Sequence, residues 1–391
     1  MSAPVILSAC RTPIGKFQGT LSSLPATELG AVVVRAALSQ SGISPELVEE
    51  AILGMVLPAG TGQAPARQAA LKAGIPSRVG AVTINKVCGS GLKAVMLAGQ
   101  AIRAGDASVI VAGGMESMSR APWLVERPLQ GVGDRSLVDS MLHDGLRCAI
   151  NQQSMGDLAE RVARQQGISR ADQDAYSCES HRRAASAVRN NLFQNEIIPV
   201  SVGAKLKTVT VQRDEGPRDD CSLDRLAGLR AAFMTDGTVT AGNSAMISDG
   251  AAAVVVTSAE FAQSQRLTPC AEIVAAVTAG VEPEDLFLAP VEAIRKLLAK
   301  TGHRIQDIDL WEINEAFAVQ VLANQRLLGI PLESLNTRGG AIALGHPIGA
   351  SGARVLTTLI HALNSGTGEL GVAALCLGGG NAVAMLIRRR Q

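Results

Sequence analysis

An internal duplication is the feature of this sequence that most constrains its fold. A helical segment ends at Gly42 and leads into a strand that reaches Gly54, twelve residues later. A second helical segment ends at Gly302 and leads into a strand that reaches Asn314, again twelve residues later. A supersecondary unit that recurs at an offset of about 260 residues predicts a molecule built from two equivalent halves.

Each half alternates amphipathic helices with short, continuous apolar runs such as DASVIVAGG and GVAALCLGG. One helix in each half opens with Ser-Gly, at Gly91 in the first and Gly352 in the second. Continuous apolar runs are typical of strands buried on both faces, as in parallel sheets. With 47% apolar residues and 40 glycines, the chain is predicted to be α/β, with two duplicated halves whose mostly parallel sheets are covered by helices.

The middle of the chain has a different composition, with a loop-like stretch followed by polar helices. We interpret residues 119–247 as an inserted loop domain. Residues 1–118 then form the N-terminal half, which the strand and helix predicted in 248–268 complete. Residues 269–391 form the C-terminal half.

The charge balance and the cysteine pattern exclude several classes of protein. The chain has 36 basic and 35 acidic residues, so it lacks the overall positive field that nucleic-acid or anionic-membrane partners require. It has no apolar run near 18 residues and no basic segment followed by a long apolar run at its start. The seven cysteines include no CxxC pair, which argues against a metal site or a disulfide framework. We expect a cytoplasmic protein without a targeting segment.

Cys88 is the first candidate for chemistry. It lies between a strand-like segment and a helix whose first turn reads Gly-Ser-Gly. A thiol at a helix start experiences the positive end of the helix dipole, which favours the thiolate. A buried structural cysteine is the alternative, but it does not explain why small residues crowd this turn. The pattern therefore predicts a covalent nucleophile.

Three further polar residues lie where strands or loops end. His346 occupies the glycine-rich loop GGAIALGHPIGASGAR, and Cys376 ends an apolar strand directly before three glycines. Asn314 ends a strand before a helix, a position that a helix N-cap would equally explain. If the halves pack with approximate twofold symmetry, strand ends from both should converge on one cleft.

Five sequence blocks together resemble the thiolase family. VCGSGLKAV, TAGNSAMISDGAAA, EINEAFA, GGAIALGHPIGASGAR and CLGGG follow the order, and nearly the wording, of that family along the whole chain. The resemblance implies a CoA-dependent acyltransferase that reversibly cleaves 3-ketoacyl-CoA or condenses two acyl-CoA molecules through an acyl-enzyme. Acetoacetyl-CoA with CoA, giving two acetyl-CoA, is the expected reaction, and a 3-ketoacyl-CoA thiolase of fatty-acid β-oxidation with longer chains is the alternative. The resemblance also implies a homo-oligomer, either a dimer or a tetramer, and no cofactor, with CoA serving as a substrate.

The resemblance assigns each reactive residue a role. Cys88 would carry the acyl group, His346 would activate it, and Cys376 would move protons at the second acyl unit. Asn314, through a water, would form one oxyanion hole with His346. The backbone N–H groups of Cys88 and Gly378 would form the other.

The same resemblance places CoA binding and oligomer contacts mainly in the inserted domain. Arg218 would meet the nucleotide and its phosphates, since guanidinium suits phosphate geometry, and Ser244 would contact the pantetheine. The chain departs from the usual family pattern at Ser154, Ala245 and Leu286–Pro290, which concerns the substrate pocket more than the reaction. The apolar residues expected to line the pantetheine and acyl tunnel are Leu146, Met155, Phe233 and Phe317.

Two other functions are compatible with parts of the sequence. His303 and Asp307 fit the HxxxD pattern of acyltransferases that use histidine as a base without a covalent intermediate. A non-catalytic acyl-CoA carrier is the second alternative. Such a carrier should lack one of the four reactive side chains, and this chain retains all four.

Overall fold

The computed structural model describes residues 3–127, 134–203 and 208–390. Short 3₁₀ or π turns occupy Pro45–Leu47, Met118–Arg120, Met141–Leu146, Pro283–Leu288, Ile305–Asp307 and Leu332–Ser334. The strands are β1 Pro4–Arg11, β2 Gly15–Lys16, β3 Glu50–Gly54, β4 Gly80–Ile84, β5 Val109–Ser117, β6 Trp123–Leu124, β7 Val138–Asp139, β8 Val200–Val202, β9 Val209–Val211, β10 Ser248–Ser258, β11 Ala271–Gly280, β12 Leu310–Ile313, β13 Leu370–Leu377 and β14 Asn381–Arg389. The helices are α1 Ala26–Ser41, α2 Pro65–Ala73, α3 Ser90–Ala104, α4 Met155–Gln166, α5 Arg170–Arg189, α6 Leu223–Ala227, α7 Ala259–Ser264, α8 Ala289–Thr301, α9 Ala318–Leu328, α10 Ala341–Leu344 and α11 Ser351–Ser365.

One ten-stranded sheet runs through both halves in the order β12-β13-β14-β11-β1-β10-β5-β3-β4, with β2 beside β10. The duplicated α/β architecture is confirmed. Parallel pairing occurs among β4, β3 and β5 and between β12 and β13, whereas the central pairs are antiparallel. The sheet is therefore mixed, and parallel pairing is confined to its outer strands. The glycine turn between β13 and β14 is one reason, because so short a connection can only join antiparallel strands.

The chain returns to its first half after the inserted segment. Strand β10 pairs with β1 on one side and with β5 on the other, and α7 follows it directly. The segment between β5 and β10 contains α4, α5, α6 and the two small hairpins β6-β7 and β8-β9. Within the described ranges, no helix has both the length and the apolarity needed to cross a bilayer.

Three layers of helices alternate with the strands of the two halves, which gives five layers in all. Helices α1 and α2 cover the outer face of the first half, and α8 and α9 cover the outer face of the second. Helices α3 and α11 pack between strands of both halves in a shared apolar cluster. This central layer is where the repeated helix starts meet.

The two central helices touch at equivalent glycines of the repeat. A Cβ atom at Gly352 would lie 2.3 Å from the backbone nitrogen of Leu92, and one at Gly91 would lie 2.8 Å from that of Ala353. Real Cβ atoms do not approach backbone this closely, so only glycine permits the crossing. The crossing brings together the starts of α3 and α11, and with them the loops that carry Cys88 and His346.

Candidate active site

Cys88 lies on a tight turn directly before α3. Val87 has a φ of 47°, which is uncommon for a β-branched residue and marks a strained backbone. The Ser90 hydroxyl fixes the turn, because it accepts from the backbone N–H of Lys86 at 2.8 Å and donates to the carbonyl of Val87 at 2.6 Å. Cys88, which this turn carries, is half-buried as a residue.

Burial and the backbone have opposite effects on Cys88. Burial raises the pKa of the Cys88 thiol to about 12, whereas its own backbone N–H and that of Gly378 lower it. The N–H groups therefore favour the thiolate, but loss of hydration outweighs them. The thiol keeps its proton until a base removes it.

His346 is buried, and its hydrogen bonds define its tautomer. Its Nδ1 lies 2.6 Å from the Ser351 hydroxyl, and that hydroxyl donates to the carbonyl of Pro347 at 2.8 Å. The Ser351 hydroxyl has one proton and donates it to the Pro347 carbonyl. It must therefore accept a hydrogen bond from His346 Nδ1–H, and Nε2 keeps its lone pair. Burial, with a smaller effect from the charge of Arg354, lowers the pKa of His346 to about 3. The imidazole is thus neutral at physiological pH and able to accept a proton at Nε2.

Asn314 follows β12 and faces the imidazole ring. Its amide nitrogen lies 3.5 Å from both ring nitrogens of His346, which puts it beside the ring and at the outer limit of hydrogen bonding. Its buried Oδ1 has no hydrogen-bond partner in the part of the chain that the structure describes. A buried amide oxygen of this kind can accept from a small polar molecule between itself and the ring.

Cys376 and Gly378 come from the end of β13 in the other half. Burial, and next the charge of Cys88, raises the pKa of the buried Cys376 thiol. The N–H of Gly378 and that of Cys88 both point at the Cys88 sulfur. The structure therefore brings together Cys88, Cys376 and Gly378 from the two halves, and it places Asn314 beside His346.

Glu116 was not predicted from the sequence, yet it holds two sides of the site together. Its carboxylate accepts from the N–H groups of Val56 at 2.9 Å, Leu57 at 3.3 Å and Gly349 at 3.0 Å. It thereby fixes the His346 loop to the end of β3. Burial raises the pKa of Glu116 to about 7, although the three N–H groups lower it. An acidic residue at the end of a fully apolar strand was the available signal.

Ser248 also supports the histidine loop without having been predicted. Its hydroxyl accepts from the backbone N–H of His346 at 3.2 Å and donates to the carbonyl of Met246 at 2.7 Å. The same His346 N–H also reaches the Met246 carbonyl at 2.9 Å. This contact joins the TAGN block to the GHPIG block.

The predicted tunnel residues fall into two groups. Leu146 packs with Cys88 against one apolar cluster. Phe317 lies edge-on to Phe233, with ring centres 6.3 Å apart, and pairs with Ser244 through a backbone bridge. Met155 begins α4 and packs against the cluster that contains Phe317.

Arg218 lies away from both groups. Its side chain is exposed, and its backbone N–H donates to Nδ1 of His181 on α5 at 3.2 Å. The structure thus places Arg218 on a loop packed against α5, where its guanidinium can meet a ligand from solvent.

The departures from the family pattern have local structural roles. Ser154 caps α4 through reciprocal bonds with Asp157, and Ala245 donates its N–H to the carbonyl of Ala316 at 3.0 Å. Within Leu286–Pro290, Phe287 is buried with its ring centre 5.2 Å from that of Phe317. This last departure packs directly against a predicted tunnel residue.

The HxxxD pair lies at the end of strand β12 opposite to Asn314. His303 and Asp307 precede the amino end of β12, whereas Asn314 follows its carboxyl end. The Asp307 carboxylate accepts from the N–H of Arg304 at 2.8 Å as part of a capped turn. This pair takes no part in the site around Cys88.

Comparisons with known proteins identify the family. The model of the thiolase N-terminal domain matches residues 4–260, and that of the thiolase C-terminal domain matches residues 267–389. The chain is 50% identical to an acetyl-CoA acetyltransferase of Cupriavidus necator and 47% identical to a probable acetyl-CoA acyltransferase of Staphylococcus aureus, with full coverage of each chain.

Two solved structures also match this chain over nearly its whole length. A crystal structure of the Bacillus anthracis acetyl-CoA acetyltransferase matches with a TM-score of 0.97 and 39% identity, over 100% of this chain and 99% of that one. The Acat5 thiolase from Ascaris suum, in complex with coenzyme A, matches with a TM-score of 0.94 and 44% identity, over 99% of this chain and 100% of that one. The two matched domains and these relatives together make this chain a member of the thiolase family.

Proposed function

We propose that this acyltransferase interconverts acetoacetyl-CoA plus CoA and two molecules of acetyl-CoA by a ping-pong reaction through acyl-Cys88. The observation that carries the proposal is that Cys88 from one half interacts with Cys376 and with the Gly378 N–H from the other, in a chain whose His346 imidazole is neutral. The acetyl-CoA acetyltransferases among the relatives support the choice of substrate. A longer-chain 3-ketoacyl-CoA thiolase is the alternative.

In the acylation step, His346 Nε2 takes the proton of Cys88 while the sulfur attacks the thioester carbon. The backbone N–H groups of Cys88 and Gly378 donate to the oxyanion that develops at this carbon. These groups belong to a rigid turn and a strand end, so they need little reorganisation. The departing CoA sulfur takes this proton from His346 and leaves as a thiol, and Cys88 keeps the acyl group.

In the condensation step, Cys376 passes its proton to His346 and, as a thiolate, removes a proton from the methyl group of the second acetyl-CoA. The enolate oxygen meets His346 and a water held by the Asn314 amide. The carbanion attacks acyl-Cys88, and the Cys88 sulfur leaves and takes the proton that His346 carries. The raised pKa of Cys376 suits the removal of a weakly acidic carbon-bound proton. Cleavage is the same sequence reversed.

Incubation with acetyl-CoA alone tests this function. Trypsin cleavage after Lys86 and Lys93 gives the peptide VCGSGLK, which should carry one acetyl group on Cys88. Acetyl on another cysteine, or none under conditions that support turnover, would contradict the proposal. Cleavage rates for 3-ketoacyl-CoA substrates of increasing length then distinguish the acetoacetyl enzyme from the longer-chain alternative.

Ser351→Ala tests the tautomer of His346. Without the hydroxyl, Nδ1–H loses its acceptor and the ring can adopt the tautomer that blocks Nε2. An unsatisfied buried donor costs about 1–3 kcal/mol, so we expect kcat to fall roughly 10- to 100-fold. Ser351→Thr keeps a hydroxyl and should recover most of the activity. If alanine and threonine variants lose activity equally, Ser351 is a packing residue.

The role of Arg218 in CoA binding is a second part of the proposal. Arg218→Ala should raise the KM for CoA with little change in kcat, because an exposed guanidinium meets phosphates remote from the reacting carbon. Arg304→Ala, another exposed arginine at the far edge of the sheet, is the matched control and should change neither. A collapse of kcat at constant KM would rule out the assignment.

The homo-oligomer, dimer or tetramer, and the cytoplasmic location expected from the sequence also remain part of the proposal. Sedimentation equilibrium on the full chain would measure the number of subunits.

A further inference from the structure

Two thiols that the proposed reaction does not use meet in the inserted segment. Cys178 lies on α5, and its Sγ donates to the carbonyl oxygen of Cys221 at 3.6 Å. Both cysteines are partly exposed. Burial raises the pKa of Cys221 to about 11, and the charge and hydrogen bonding of the nearby Cys178 thiol raise it further.

The surroundings hold this pair in place. Cys221 belongs to a turn in which its N–H donates to the carbonyl of Arg218 at 3.4 Å. The N–H of Arg218 in turn donates to His181, which lies one helical turn from Cys178 on the same face of α5. The loop is therefore anchored to the helix at two neighbouring points, with one of the two thiols on each element.

Two cationic side chains lie beside the pair. The Arg182 guanidinium interacts with the Cys178 thiol, and the Arg218 charge acts on Cys221. The Arg218 charge lowers the pKa of Cys221, against the larger effect of burial. A second thiol in contact provides the intramolecular partner that turns a first oxidation product into a disulfide.

We propose that Cys178 and Cys221 form an oxidation site, at which hydrogen peroxide converts the two thiols into an intramolecular disulfide that ties α5 to the loop carrying Arg218. One thiolate attacks a peroxide oxygen, the O–O bond breaks, and a sulfenic acid and one water result. The second sulfur attacks the sulfenic sulfur, the S–O bond breaks, and a second water leaves. Two thiols and one peroxide thus give one disulfide and two waters.

This site is independent of the reaction at Cys88. The disulfide forms or fails to form whether or not Arg218 contacts CoA. Because the second thiol traps the sulfenic acid, oxidation at this pair should stop at a state that dithiothreitol reverses.

Peptide mapping tests the inference on the full-length protein. After peroxide treatment, free thiols are blocked with N-ethylmaleimide under denaturing conditions and the chain is digested with trypsin without reductant. Cleavage at arginines should release the Cys178 peptide 171–182 and the Cys221 peptide 219–225. The expected result is one species in which these peptides are joined, absent before peroxide and lost with dithiothreitol.

Two comparisons make the outcome decisive. In an equal mixture of isotopically heavy and light protein, the joined species should be only heavy–heavy or light–light. Cys178→Ser should abolish it, whereas Cys148→Ser, at a buried cysteine outside the pair, should keep it. Separate peptides carrying maleimide, sulfinic or sulfonic groups, mixed heavy–light species, or pairing of Cys221 with another cysteine would each overturn the proposal.

Discussion

Cys376→Ser should still accept an acetyl group onto Cys88 and yet fail to condense it with a second acetyl-CoA. Acylation uses Cys88, His346 and the two backbone N–H groups, none of which this change removes. Condensation needs a base for a methyl proton, and a hydroxyl is a far poorer proton acceptor and donor than a thiol at neutral pH. Loss of such a group typically costs about 10²- to 10⁴-fold in rate. Peptide mass analysis measures acylation, and exchange of the acetyl methyl protons with deuterated solvent measures proton transfer.

Cys88→Ser gives the complementary result, because no stable acyl-enzyme should build up. Cys270→Ser serves as the matched control, since the Cys270 thiol donates to the carbonyl of Ile6 at 3.2 Å, away from the site, and both activities should persist. Near-normal condensation in Cys376→Ser would make Cys376 a packing residue. Complete loss of acylation would instead make it a co-activator of Cys88.

His346→Ala should abolish both halves of the reaction. The Cys88 thiol has a pKa raised to about 12, so almost none is ionised at neutral pH, and the imidazole is the base in the site that can take its proton. We expect acylation to fall by about 10²- to 10⁴-fold, and condensation to fall further because the enolate loses a partner. Rapid-quench measurement of acetyl transfer to Cys88 would give the first rate, and steady-state condensation the second.

Two controls separate this role from a general loss of structure. His303→Ala removes the histidine of the HxxxD pattern and should leave both rates unchanged. Added imidazole should partly restore acylation in His346→Ala if the cavity admits it. A variant that acylates normally but fails only in condensation would assign His346 to the enolate alone and leave Cys88 without its base.

The sequence could predict that the site lies between the two halves, because equivalent residues of a duplicated fold occupy related positions. Once Gly91 and Gly352 are recognised as equivalent, the helices that follow Cys88 and the His346 loop must occupy related places. Cys376 and Asn314 then follow because both end strands of one half. Short local patterns that share a symmetry relation can therefore predict a long-range contact.

The balance of energies inside the site was not predictable in this way. The helix start at Cys88 is visible in the sequence, but its effect on the thiol depends on how many atoms exclude water, which is a property of packing. Glu116 was missed for the same reason, since its three N–H donors come from two distant segments. Ser154 illustrates the opposite limit. Its departure from the family pattern is visible in the sequence, but its local role as the N-cap of α4 was seen only in the structure.

The position of β10 has a consequence for how the chain folds as it is made. Strand β5 ends at Ser117, and β10, which separates it from β1 in the sheet, begins only at Ser248. At ribosomal rates of about 5–20 residues per second, roughly 7 to 26 seconds pass between them. During that interval β1 and β5 have unpaired edges, which are prone to aggregation. The nascent first half therefore keeps these edges open until β10 has emerged, and a circular permutation that moves β10 next to β5 should shorten that interval.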